Sequence, residues 1–169
     1  MIPKYRIFNL VFKIQMMKEK ETSEKILFRF FSAILNEWTV ENLWATTINA
    51  EEGLYKLDNI PFYASVSCGD IVLAEFDETE NKLTYRETII HSGNSTIQVI
   101  LKDKSIVVNE VREFFNSLGC ESEKFNDDYF VMEIPAAADY IPIREKLMEL
   151  EENNIITYAE PNLSKNHWY

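Results

Sequence analysis

The sequence predicts an α+β protein in which a small curved β-sheet or barrel packs against a ferredoxin-like βαββαβ layer. Three observations predict it. Short β-rich runs separated by turn signals fill the first half of the chain. Segments with apolar residues at helical spacing appear only in the second half, and there are two of them. Strand-like runs stand before, between and after those two segments.

From the N-terminus, Lys4 and Arg6 precede the apolar stretch Ile7 to Phe12, which Asn9 interrupts and Lys13 ends. That stretch is too short and too polar to span a membrane or direct export, and it reads as a short strand or amphipathic helix. The charged segment Lys18 to Glu24 reads as a linker. Ile26 to Phe31 is an aromatic-rich run suited to a buried strand, and Leu43 to Ile48 a second one. Gly53 turns the chain into Leu54 to Leu57, and Pro61 disfavours helix at Ile60. Ile71 to Phe76 and Leu83 to Ile90 form a hairpin across the acidic loop Asp77 to Asn81.

The pattern changes after Ser92-Gly93-Asn94. Thr96 to Leu101 alternates as a strand. Val107, Val111, Phe114, Phe115 and Leu118 share one helical face, with Asp103 or Ser105 as cap and Gly119 as the stop. Tyr129 to Ile134 is a strand closed by Pro135. A second helix begins near Asp139 with Ile143, Leu147 and Leu150 as its apolar stripe, and Ile155 to Tyr158 is the last strand. The chain thus divides into an extension (1–24), a β-rich half (25–92), an α+β half (93–160) and a tail (161–169).

With 46% hydrophobic and 13% aromatic residues in 169, the chain has material for a filled interior. Seventeen Lys and Arg against 28 Asp and Glu give a net charge of -11. That field repels a phosphate backbone, so nucleic acid is not an expected partner. It favours encounter with a basic protein, although acidity also serves plain solubility. The two cysteines, Cys68 and Cys120, read as free thiols in a reducing compartment, which points to the cytoplasm.

Chemistry has few candidates. Cys68, Asp70 and His91 are the one possible nucleophile, acid and base set, but their spacing matches no catalytic signature. The two histidines, His91 and His167, make no metal-ligand pair, and Asp77 to Asn81 lacks the spacing of a calcium loop. No catalytic residue, metal or cofactor is therefore expected. Phe28, Phe30, Phe31, Trp44, Phe62 and Phe76 are read as mainly core. Trp168 and Tyr169 either fold back on the body or anchor a partner. Two loop groups of carboxylates, Asp77, Glu78 and Glu80, and Glu121, Glu123, Asp127 and Asp128, are candidates for meeting a basic surface.

Several phrases occur together: Glu41-Asn42-Leu43-Trp44-Ala45, Asn59-Ile60-Pro61-Phe62, Gly69-Asp70-Ile71-Val72, Ser92 to Thr96, Leu118-Gly119-Cys120 and Ile134-Pro135. Together they resemble, from about Lys25 to Tyr158, an uncharacterised bacterial family known only as a domain of unknown function of the 4265 type. The resemblance implies a bacterial origin and supplies no activity. The chain departs from the family's Gly-His-Ser-Thr-like phrase by placing Asn94 after Gly93.

These readings lead to a non-enzymatic, acidic, cytoplasmic protein-binding module. Its specific form is an immunity protein, an antitoxin that blocks a basic toxin or effector. The alternative is a small-ligand or regulatory domain with a pocket between its halves near Trp44, Asp70 and His91.

Overall fold

The computed structural model describes residues 22–32 and 36–169. The expected strand or helix before Lys18, and most of the expected linker, lie outside the described residues. Ser23 and Glu24 of that linker open the first strand.

Five strands close a barrel: β1 (Ser23–Ser32), β2 (Glu37–Asn49), β3 (Leu54–Leu57), β4 (Ile71–Asp77) and β5 (Lys82–Ile90). Each pairs antiparallel with the next, and β5 returns to β1 in parallel, Ile26 opposite Leu83 and Leu27 opposite Thr84. The parallel seam follows from an odd strand count, because a meander that reverses at every turn ends running the way it began. Alternate residues fill the interior: Ile26 and Phe28, Leu43 and Ala45, Tyr55 and Leu57, Val72 and Ala74. Tyr85 stacks on Phe28 inside, with ring centroids 4.6 Å apart. Gly53 takes a positive φ of 67°, and a Cβ there would stand 2.7 Å from the Ala74 carbonyl, so no side chain fits.

Alternation also places the even-numbered residues of β2 on the outer wall. Trp44 (47% exposed) is one of these; Phe31 on β1 and Phe76 at the end of β4 are exposed as well, so none of the three is core, contrary to the sequence reading. In the run Ile26 to Phe31 only the first three residues are buried. Ile26 and Phe28 point into the barrel, whereas Arg29 and Phe31 stand on its outward face in solvent.

The second unit runs β6 (Ser95–Leu101), α1 (Val108–Ser117), β7 (Glu121–Lys124), β8 (Tyr129–Ile134), α2 (Tyr140–Glu152) and β9 (Ile156–Asn162). Its sheet has the order β7-β8-β6-β9 with antiparallel neighbours. Ile97, Val99 and Leu101 on β6 and Phe130, Met132 and Ile134 on β8 share one core with Val111, Phe115, Ile143 and Leu147 of the helices. Both helices thus cover the same face. The short strand β7 carries four mainly polar residues, Glu121 to Lys124, and had no apolar signal.

α1 differs from its expected phase. Val108, Val111 and Phe115 are buried, while Val107, Phe114 and Leu118 are exposed. Its N-cap is Val107, without a side-chain cap; Asp103 instead accepts the Ser105 amide and hydroxyl one turn earlier. α2 starts as expected, with the Asp139 carboxylate accepting the Ile141 N–H at 3.0 Å.

The sheet's other face meets the β3–β4 connection of the barrel. Phe62 carbonyl accepts both Gln98 Nε2 at 2.7 Å and the Tyr129 hydroxyl. Thr96 Oγ1 donates to the Val66 carbonyl at 3.2 Å. Glu41, an inward position of β2, accepts the N–H groups of Phe62, Tyr63 and Ala64 at 2.7, 3.0 and 2.8 Å. A connection without strand pairing must satisfy its amides in this way.

Candidate functional site

Three stretches meet where barrel and sheet join: the turn ending at Asp70, the crossing His91 to Asn94, and the tail after Asn162. Between them lies a cleft of about 340 Å³, lined by Asp70, His91, Asn94, Asn162, Lys165 and Trp168 among others.

Asp70 is 1% exposed. Its Oδ2 accepts the Ser67 N–H at 3.0 Å and its Oδ1 the Ser92 N–H at 2.7 Å. One carboxylate therefore closes its own turn and ties it to the crossing between the two units. His91 Nδ1 stands 3.8 Å from Asp70 Oδ2, on a side chain 75% exposed. Asn94 bridges likewise, donating to the Cys68 carbonyl at 3.1 Å and accepting the Ala136 N–H at 2.9 Å. Gly93 has φ +87°, and a Cβ there would crowd Ala136 Cβ at 3.0 Å.

The tail folds back through His167, which is 2% exposed. Pro135 carbonyl, 3.1 Å from Nε2, can only accept, so Nε2 carries the hydrogen and Nδ1 accepts the Ser95 hydroxyl at 2.6 Å. Ser95 Oγ in turn accepts the Ser164 N–H at 2.8 Å. Burial holds the His167 imidazole below its ordinary pKa. This anchor sets Trp168 at the mouth of the cleft, its indole N–H donating to the Leu163 carbonyl at 3.3 Å. Lys165 Nζ lies 6.0 Å from the same ring.

Cys68 and His91 make separate contacts, the imidazole with Asp70 and the thiol with backbone. Cys68 directs its thiol to the Leu57 carbonyl at 3.8 Å. Burial, and then the Glu133 carboxylate, push that thiol up to about 12. It is protonated at neutral pH and is a poor nucleophile. Glu133 itself is 8% exposed and its Oε2 lacks a partner among the described residues. Burial raises its pKa, with Glu121 and Asp70 adding to the rise and Cys68 and Asn94 opposing it.

Of the expected site residues, the cleft brings together Asp70, His91 and Trp168. Trp44 is elsewhere, on the barrel's outer wall with Lys25 Nζ 4.6 Å from its ring. The acidic loops are largely engaged within the chain. Asp77 accepts the Thr79 and Glu80 amides and pairs with Arg86 at 3.2 Å. Glu80 pairs with Arg29 at 3.0 Å, Asp127 with Lys124 at 2.9 Å, and Asp128 with Lys104. Glu123 accepts the Ile60 N–H at 3.0 Å. Glu78 and Glu121 are exposed. Lys165, Asn162 and Glu133 were not singled out from the sequence. Glu133 alternates with Met132 and Ile134 inside a buried strand, which was the available signal for a buried carboxylate.

Among the described residues no group of three or more His, Cys, Asp and Glu is placed to hold a metal ion. No helix among them is long and apolar enough to cross a membrane.

A closed barrel bound through its β3–β4 connection to a helix-backed sheet, with a polar cleft at the junction, defines an α+β protein of two interlocked units. The chain belongs to the family described as Domain of unknown function (DUF4265), whose model matches residues 41–158. It is similar in fold to a crystal structure of a hypothetical protein from Neisseria gonorrhoeae, with a TM-score of 0.73 at 21% identity over 86% of this chain and 99% of that one. No curated protein matches it.

Proposed function

We propose that this chain is a non-catalytic protein-binding module working in the cytoplasm, and in its specific form an immunity protein that blocks a basic toxin. The observation that supports this reading is the outer face of β1 and β2. Phe31 stands opposite Trp38, with ring centroids 6.0 Å apart; Val40 follows, and Trp44 stacks under Lys25. Their exposures are 50, 65, 48 and 47% for Phe31, Trp38, Val40 and Trp44. Adjacent is a hollow of about 410 Å³ that reaches Phe76, itself 59% exposed. An apolar patch of this kind, centred on tryptophans, has the composition of an interface core.

The Arg29–Glu80 pair brings the acidic hairpin tip, with exposed Glu78, to the edge of this face. An aromatic centre with a carboxylate rim fits a partner that carries Lys and Arg around an apolar patch. A net charge of -11 steers such a partner in. Burial of the Cys68 thiol supports a role that does not use it as a nucleophile.

The test is capture from native lysate by wild type and by a Trp38→Ser/Trp44→Ser variant. Both residues are outside the core, so the variant keeps its melting temperature. A basic protein held by wild type should lose at least about tenfold in affinity for the variant. Equal retention by both would remove the aromatic face from binding.

A further inference from the structure

We propose that the cleft between the barrel and the tail binds a small planar anion, an aromatic carboxylate held between His91 and Lys165 with its ring against Trp168. At about 340 Å³ the cleft lies at the lower end of small-molecule sites, which suits a single-ring metabolite.

The lining separates into groups already engaged and groups with capacity left. Asp70 has an N–H on each oxygen and is sealed from solvent, so it is a wall of the site and a poor recogniser. Asn94 uses both ends of its amide within the chain. Lys165 has no ion-pair partner among the described residues, and His91 keeps Nε2 available while Nδ1 looks to Asp70 at 3.8 Å. Trp168, 65% exposed, has its N–H turned to Leu163 and Lys165 Nζ 6.0 Å from its ring, so a flat carboxylate can meet the exposed ring beside the ammonium. Asn162 donates to Ser67 Oγ at 2.7 Å and keeps its carbonyl for a hydroxyl or amino group on the ligand.

Charge selects the class. In a chain of net charge -11, the cleft sets an ammonium and an imidazole, from opposite units, beside an exposed indole. A carboxylate between them makes charge-assisted bonds, whereas a cation would face Lys165 directly. The Asp70 carboxylate behind His91 opposes the anion, and its two N–H partners together with the imidazole offset that opposition. The tail supplies two of the recognising groups and is fixed by buried His167, so the site is organised before the ligand arrives.

The experiment uses Trp38→Phe/Trp44→Phe protein, in which Trp168 is the one tryptophan left of three. Nicotinate is the probe, nicotinamide the uncharged control of the same ring, and inorganic phosphate the anion without a ring. Nicotinate should quench Trp168 saturably, with nicotinamide at least about tenfold weaker and phosphate binding without quenching, as loss of one charge-assisted bond implies. His91→Gln and Lys165→Gln should each weaken nicotinate by about tenfold while the melting temperature is unchanged. No saturable response to nicotinate, equal affinity for nicotinate and nicotinamide, or an unaltered Lys165→Gln protein would each overturn the site. Calorimetry on the unmodified chain repeats the titration. The aromatic face of the barrel is altered in the probe protein, so this result stands apart from that of partner capture.

Discussion

Asp70→Asn keeps the shape of a buried side chain and removes one acceptor. The wild-type carboxylate receives two backbone N–H groups, from Ser67 and Ser92, and sits at 1% exposure. Whichever way the amide of asparagine turns, its NH₂ meets one of those N–H donors. One charge-assisted bond is then replaced by two donors in contact, and the other becomes neutral. A charge-assisted bond contributes roughly 1.5–3 kcal/mol and a neutral one about 1, which puts the loss near 3 kcal/mol. For a chain of this size each kcal/mol lowers Tm by about 2–4 °C, so a fall of about 6–12 °C is expected. Urea unfolding should show a lower midpoint with an unchanged slope, since the surface exposed on unfolding is the same. Asp70→Ala should lose a similar amount, and the agreement between the two identifies hydrogen bonding over packing. A loss under about 0.5 kcal/mol for Asp70→Asn, the range of ordinary surface changes, would refute the argument.

The remaining predictions concern buried titratable groups. His167 has its pKa held down by burial, so the unfolded chain takes up its proton first as pH falls. Its stabilising contribution is present above about pH 6.5 and is lost as pH falls through the lower folded value; His167→Gln should flatten that limb of the urea-midpoint profile. Glu133 has the opposite sign: burial raises its folded pKa, so stability present below about pH 4.5 is lost as pH rises through the folded value. Glu133→Gln should therefore gain about 1 kcal/mol at pH 7–8, and a loss there would mean that Oε2 has a partner after all. Cys68, pushed up to about 12, and buried Cys120, pushed up to about 11, should resist iodoacetamide at neutral pH until urea unfolds the chain. Rapid labelling of Cys68 in the folded protein would contradict its environment.

Elements with an uninterrupted periodic signal were legible. The hairpin Ile71–Asp77 with Lys82–Ile90, the strand Tyr129–Ile134 and the helix opened by Asp139 all stand where alternation, turn residues and a cap place them. The helix α1 was legible as a helix but not in phase, because its sequence offers apolar residues on two sides and the sheet buries only Val108, Val111 and Phe115. β7 was silent, since an edge strand of polar residues is selected by its pairing with β8 and carries no pattern of its own. At the candidate site, Asp70 and His91 were legible as polar groups beside turns. Their nearness to Trp168 was not: that ring lies 77 residues after His91 in sequence, and no local pattern links the two.

By itself the sequence determined the fold class, the succession of strands and helices in the second unit apart from β7, the family and the acidic field. Each depends on periodicity, composition or short phrases, which are local properties of the chain. Only the tertiary structure decided which aromatics are wall and which are core, because Trp44 and Leu43 differ by one position on a strand whose two faces meet solvent and interior. It also decided that the tail belongs to the junction. A buried imidazole bonded to Ser95 and Pro135 brings residues far apart in sequence into one cleft, and long-range hydrogen bonds of that kind leave no periodic trace in the sequence.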